Sequence, residues 1–170
     1  MSGQMLVRLI CSGIAKISCQ MKEFNSRKMS AVCFLFARNI QTLLAREGVT
    51  PPPIGLVDAD WGGTTVEAWS PNSALHKCQS HFKKPKFNMV QHNDRSLWNA
   101  MVNSLKWNSV KGFLWYQGER NSQLSWHRDL YQCSFPALIK AWRQEFSKHS
   151  STDPSAPWGF VQLGKYVESE

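Results

Sequence analysis

At 170 residues the chain has room for one domain with a real core and is too short for two comfortable ones. Its composition, 42% apolar and 19% charged, excludes a disordered or collagen-like chain, and no run of residues approaches the length of a membrane-spanning helix. The net charge of +8 draws anionic partners, but its densest patch is only Lys77, Lys83, Lys84 and Lys86 with His76 and His81 beside it. Without a zinc-finger, basic-zipper or RNA-binding signature that patch reads as a solvated loop, so no nucleic-acid partner and no membrane span are expected.

Residues 1–29 are poorly periodic and read as an irregular lead-in with room for a short helix or strand. The apolar stretch Met5 to Cys11 is interrupted by Arg8 and followed by Lys16, so it does not read as a signal peptide. Ser30 is a good N-cap, and Ala31 to Ala45 form a helix stopped by Gly48 and the prolines at 51 to 53. Val32, Phe34, Leu35, Phe36, Ile40, Leu43 and Leu44 cover so much of its circumference that it is expected to be largely buried. Ile54 to Val57 is a short strand. From Trp69 to His92 the text is loop-like. Ser96 to Trp107 predicts a helix that sets Leu97, Ala100, Met101, Leu105 and Trp98 against a sheet. A strand follows through Tyr116, then a helix over about Leu130 to Phe146, where Pro136 fits only in a first turn. Trp158 to Leu163 is a third strand.

The alternation of helix and strand predicts a parallel sheet with helices on its faces, joined by right-handed crossovers. Three strands are few for such a sheet, so part of the fold is expected to be missing. Eight dispersed tryptophans are mostly core anchors, with one or two left to line a sugar or aromatic subsite. Of the five cysteines, Cys33 reads as a small core residue, while Cys78 and Cys133 are able to pair in an oxidising compartment. The group His76, Cys78 and His81, with His92 further on, has spacing too irregular for a convincing zinc site, and no metal is expected.

The chemistry concentrates where two apolar strands break into glycine-bearing polar turns. Ile54 to Val57 runs into Asp58-Ala59-Asp60-Trp61-Gly62-Gly63-Thr64-Thr65, and Phe113 to Tyr116 runs into Gln117-Gly118-Glu119-Arg120-Asn121. In open α/β proteins the carboxyl rim of the sheet is where ligands bind, so the two turns suggest one shared site. Gly62 and Gly63 lack a Cβ, so their backbone N–H groups are open to close approach and suit a developing oxyanion. The side-chain amides of Gln117 and Asn121 offer the same donors. Glu67 and Glu119 are the nearby carboxylates. Glu119 reads equally as a catalytic group and as an acceptor that ties the two turns together.

These segments carry a resemblance. Ile54-Gly55-Leu56-Val57, Trp61-Gly62-Gly63-Thr64, Glu67-Ala68-Trp69-Ser70, Leu97-Trp98-Asn99-Ala100-Met101, Trp115-Tyr116-Gln117-Gly118-Glu119, Asp129-Leu130-Tyr131 and Phe135-Pro136-Ala137-Leu138-Ile139 follow one another as in the middle of a sialate O-acetylesterase. The resemblance runs from about Ser30 to Leu163. It implies a flavodoxin-like SGNH-hydrolase fold, an α/β three-layer sandwich with a parallel sheet, here incomplete, with residues 30–170 as its central part. It further implies a metal-free and cofactor-free esterase acting on O-acetylated sialic acid or another acetylated carbohydrate, in a lysosomal or secreted setting. Its serine nucleophile is activated by a histidine that an aspartate orients. Oxyanion donors from a glycine turn match Gly62 or Gly63, and those from the strand end match the segment Gln117 to Asn121. Trp61, Thr64 and Arg120 stand where a sugar would meet the rim.

The departures are as informative. The family's Gly-Gln-Ser-Asn turn is absent, since Ser2-Gly3-Gln4 is followed by Met5, and so is its Asp-x-x-His. Arg120 stands where the family usually has serine; it can pair with Glu119, bind a sialate carboxylate or point outward, and outward is favoured. His76, His81, His92, His127 and His149 read as surface residues rather than as a substitute base. The expectation is a chain that keeps the oxyanion half of an esterase site and has little or no activity of its own. The alternative is a non-catalytic carbohydrate-binding or regulatory remnant, in which Trp61 or Trp69 stacks on a sugar.

Overall fold

The structure is a computed structural model that describes residues 7–12, 29–78 and 93–164. His81, Lys83, Lys84, Lys86 and His92 lie outside the described residues, as do the side chains of Trp126 and His127. Four parallel strands form one sheet in the order β2-β1-β3-β4, where β1 is Val7–Ser12, β2 Ile54–Asp58, β3 Gly112–Trp115 and β4 Trp158–Phe160. The strand Val7–Ser12, in the stretch that reads as a lead-in, sits between the two strands that carry the polar turns. It pairs Cys11 with Asp58 on one side and Ser12 with Trp115 on the other. Its six residues carry an arginine and no alternation, which is why no strand signal stands out in the sequence.

The pleat sends alternate side chains of β3 to opposite faces. Leu114 packs with Cys33, Met29, Ile54 and Leu56 under helix α1 (Ala31–Arg46), while Phe113 and Trp115 enter the larger core under helix α4 (Ser125–His149). That core is aromatic. Trp142 lies edge-on to Trp115 at 5.9 Å and to Phe113 at 5.8 Å, and Phe113 stacks on Trp158 at 4.8 Å. Trp69, Trp98, Trp115 and Trp142 are buried, whereas Trp61 and Trp107 are exposed at 51% and 66%.

Five local expectations change. Helix α1 is not largely buried: only Ala31, Cys33 and Ala37 are, and Phe36 and Leu43 remain exposed, because a single face of the helix meets the sheet. Cys33 is disulfide-bonded rather than a free core thiol. Pro136 lies deep inside the 25-residue α4, on an exposed face, so the carbonyl that its missing N–H leaves free is open to water. The segment from Trp69 is not one loop: a buried 3₁₀ turn, Val66–Trp69, leads into helix α2 (Asn72–Cys78). In the predicted helix before β3, a π turn over Trp98–Val102 runs into a 3₁₀ turn over Asn103–Trp107. The wider π turn changes the phase, burying Trp98 and Val102 while Ala100 faces out.

Cys78 and Cys133 form a disulfide that joins α2 to α4. With Cys78 bonded to sulfur, the histidine and cysteine group at 76 to 81 loses its thiolate as a metal ligand. No helix among the described residues is long and apolar enough to cross a membrane.

Candidate functional site

The chain passes from β1 to β2 on one side and then crosses β1 to build β3 and β4 on the other, so the strand order reverses between β1 and β3. At such a switch point the loops leaving the strand ends diverge and open a crevice at the carboxyl rim. The turn after β3 leaves the sheet at this point, and the turn after β2 leaves the same rim one strand away, on the far side of β1. Asp58 ends β2, and its Oδ2 accepts the Ser30 backbone N–H at 2.8 Å, where a carboxylate complements the positive end of α1. Ser30 is thus the N-cap by position, but its side chain makes no capping bond.

The first turn exposes Trp61, Gly62 and Gly63 and then dives inward. Gly63 has φ +72°, a left-handed conformation that a residue with a Cβ adopts only with strain. Thr64 closes the turn: its hydroxyl donates to the Trp61 carbonyl at 2.8 Å and accepts the Trp69 indole N–H at 2.9 Å. Trp69 is anchored in turn, because its carbonyl accepts the Trp142 indole N–H at 3.0 Å. Thr64 is therefore a buried structural link, and Trp61 is the exposed aromatic of the pair quoted for the sugar.

The second turn is buried where the first is open. Gln117 Nε2 donates to the Thr64 carbonyl at 2.9 Å and to Asn121 Oδ1 at 2.7 Å. Asn121 Oδ1 also accepts the Val66 backbone N–H at 2.9 Å, and Asn121 Nδ2 donates to Glu67 Oε2 at 3.0 Å. The Val66 amide can only donate, so the Asn121 atom facing it must be the oxygen, and the nitrogen is left to face the carboxylate. Both amide hydrogens of Gln117 thus have protein acceptors. Tyr131, on α4, completes the chain by donating its hydroxyl to Gln117 Oε1 at 3.1 Å, with the Gln117 carbonyl at 3.3 Å. Burial pushes the Tyr131 phenol up to about 12, which keeps it a donor across the physiological range.

Glu67, 2% exposed, is the carboxylate that ties the turns together. Glu119 instead opens helix α3 (Glu119–Gln123), half-buried, and its carbonyl accepts the Ser122 hydroxyl at 2.7 Å. Arg120 donates to Gln123 Oε1 at 3.2 Å along the exposed side of α3. Gly118, at φ +140°, is held to glycine by its neighbours, since a Cβ there would lie 3.0 Å from a Leu163 methyl and 3.6 Å from the Tyr131 hydroxyl.

Reading the sequence alone overlooked Tyr131 and Arg128. Both line a cavity of about 290 Å³ that begins at Gln117 and Gly118 and runs between α4 and the segment after β4. The available signs were the Asp129-Leu130-Tyr131 segment of the resemblance and the helical spacing that sets Arg128, Tyr131 and Phe135 along one side of α4.

Fold and rim together define a class: a parallel α/β protein of the SGNH-hydrolase kind, with its site at the carboxyl edge of the sheet. Comparison with known proteins narrows it. Residues 17–169 match the family described as "Carbohydrate esterase, sialic acid-specific acetylesterase", and the chain belongs to that family. Sialate O-acetylesterase of Rattus norvegicus is 36% identical over 175 residues, covering 84% of this chain and 31% of the relative. The Homo sapiens protein of the same name is 40% identical over 144 residues, covering 79% and 25%. A crystal structure of a carbohydrate acetylesterase from Xanthomonas citri superposes with a TM-score of 0.64 at 32% identity, over 82% of this chain and 27% of that one. The chain thus spans between a quarter and a third of the length of these relatives.

Proposed function

We propose that these residues form the oxyanion side of a sialate O-acetylesterase site, acting on acetyl esters of sialic acid. The observation that carries this reading is the buried chain Tyr131, Gln117, Asn121 and Glu67, which through Thr64 ties the exposed Gly62-Gly63 turn to the strand end at the switch point of the sheet. In this reading the backbone N–H groups of Gly62 and Gly63 receive the negative charge that develops on the ester carbonyl oxygen. Gln117, Asn121, Glu67 and Tyr131 position that turn. Rigid placement matters because an oxyanion donor acts only if it needs no reorganisation when the charge appears.

The 170 residues contain neither a Gly-Gln-Ser-Asn turn nor an Asp-x-x-His pair. Oxyanion donors without a nucleophile and base retain only a small part of such an enzyme's rate. The purified chain is therefore expected to hydrolyse O-acetylated sialic acid no faster than buffer and to take no label from a fluorophosphonate. Serine labelling accompanied by hydrolysis would overturn the reading of a site without its own nucleophile. A lysosomal or secreted setting belongs to the same proposal, and the Cys78 to Cys133 disulfide supports it, because such bonds persist in oxidising compartments.

The exposure of Trp61 favours a second reading, non-catalytic sugar binding at the rim. Loss of sialoside binding in Trp61→Ala, with unchanged melting, is its expected signature.

A further inference from the structure

The cavity beside the rim has a composition of its own. Its wall is aromatic: Tyr131 stacks on Phe135 at 5.4 Å, and Phe135 meets Phe160 edge-on at 5.5 Å. Phe160 is 57% exposed, so this wall opens to solvent at its outer end. Gln117, Asn121, Ser122 and Gln162 add polar residues to this aromatic lining, a composition suited to a sugar ring with one apolar face and hydroxyls around its rim.

The charge of the lining is one-sided. Among the described lining residues Arg128 is the one charged group, and no aspartate or glutamate faces the cavity. Arg128 is also available. Among the described residues it pairs with Asp129 at 3.8 Å, with both side chains more than 60% exposed (63% and 68%), and an open pair of that kind holds its partners weakly. Arg128 stands in the opening turns of α4, where the first turn carries no acidic residue and the N-cap position, Leu124, makes no side-chain capping bond. The positive end of a 25-residue helix adds to the guanidinium there. Arg120, the cation that the sequence places nearer the rim, is turned along α3 toward Gln123 and does not line this cavity.

We infer that this cavity is the subsite for the acidic sugar, with the ring against Tyr131 and Phe160 and the carboxylate on Arg128. The inference rests on the sialate reading above and sharpens it. Arg128 separates acidic from neutral acetylated sugars, whereas the glycine turn treats any acetyl ester alike. A guanidinium suits this role because its planar donors match a carboxylate in two parallel bonds.

The test is a binding cycle on the full chain, with N-acetylneuraminic acid and its methyl ester as probes and tryptophan fluorescence or titration calorimetry as the readout. Arg128→Gln removes the charge at an exposed position, so the variant is expected to fold, and its melting temperature is checked against the parent. The expected result is that Arg128→Gln weakens the acid about tenfold, as loss of a charge-assisted contact does, and leaves the ester unchanged. Equal affinity of the parent for acid and ester, or equal weakening of both by the substitution, overturns the assignment of Arg128 while the sialate reading stands. Failure of the parent to bind either probe overturns both.

Discussion

The turn after β2 and the turn after β3 leave the sheet on either side of the end of β1, and they are built in opposite ways. The first exposes Trp61, Gly62 and Gly63 at its tip and sends Ala59, Thr64 and Thr65 to the interior. The second buries Gln117 and Asn121, 9% and 1% exposed, and engages their amides with Thr64, Val66 and Glu67. A buried amide costs free energy unless its hydrogen-bonding groups are satisfied, and here the other turn satisfies them. The lesson is a division of labour: one turn is left open to a ligand because the other is used up in holding it.

Three experiments probe that division. The largest effect is expected from Asn121→Ala, which removes a partner at once from the Val66 N–H, from Gln117 Nε2 and from Glu67 Oε2. Loss of several buried hydrogen bonds around a carboxylate should lower stability by about 3 kcal/mol or more, read as a fall in the urea midpoint. An unchanged midpoint would mean that the turns do not depend on each other.

The helices that follow the two turns are also joined covalently, through Cys78 on α2 and Cys133 on α4, 55 residues apart in sequence. Replacing both by serine is expected to lower stability by about 2–4 kcal/mol, since closing a loop of that length restricts the unfolded chain. Thermal melting of the double variant checks this. A loss under about 1 kcal/mol would show that α2 and α4 dock without the bond.

Tyr131→Phe is the gentlest of the three. It deletes one hydrogen bond to Gln117 and should cost about 1 kcal/mol at neutral pH. Its sharper signature is in the pH dependence. Burial pushes the folded phenol up to about 12 from its ordinary 10.0, so between these values the folded chain holds more protons than the unfolded one. Stability from this group is complete below pH 10, falls as pH rises toward 12, and that part of the slope should vanish in the phenylalanine variant. A slope identical in both proteins would assign the alkaline loss to other groups.

How much of this was legible from residue order differs between elements. Strands β2 and β3 announce themselves as short apolar runs broken by glycine turns, and α4 by the spacing of Leu130, Leu138, Trp142 and Phe146, all buried. Strand β1 does not, because a central strand is defined by its partners on both sides and its own six residues include an arginine. Pro136 misleads for a related reason: its local penalty is outweighed by the burial that the rest of a long helix achieves.

The same boundary runs through the site. Residue types and their order determine that this is a parallel α/β chain with two glycine-bearing polar turns, since apolar period and turn chemistry are local properties of the sequence. Which amide meets which carbonyl is not local: Asn121 reaches Val66 and Glu67 across more than fifty positions, at separations of 55 and 54 residues. Only the packed sheet brings those groups within hydrogen-bond distance. That is why Glu67, not Glu119, links the turns, and why Arg128, not Arg120, lines the cavity.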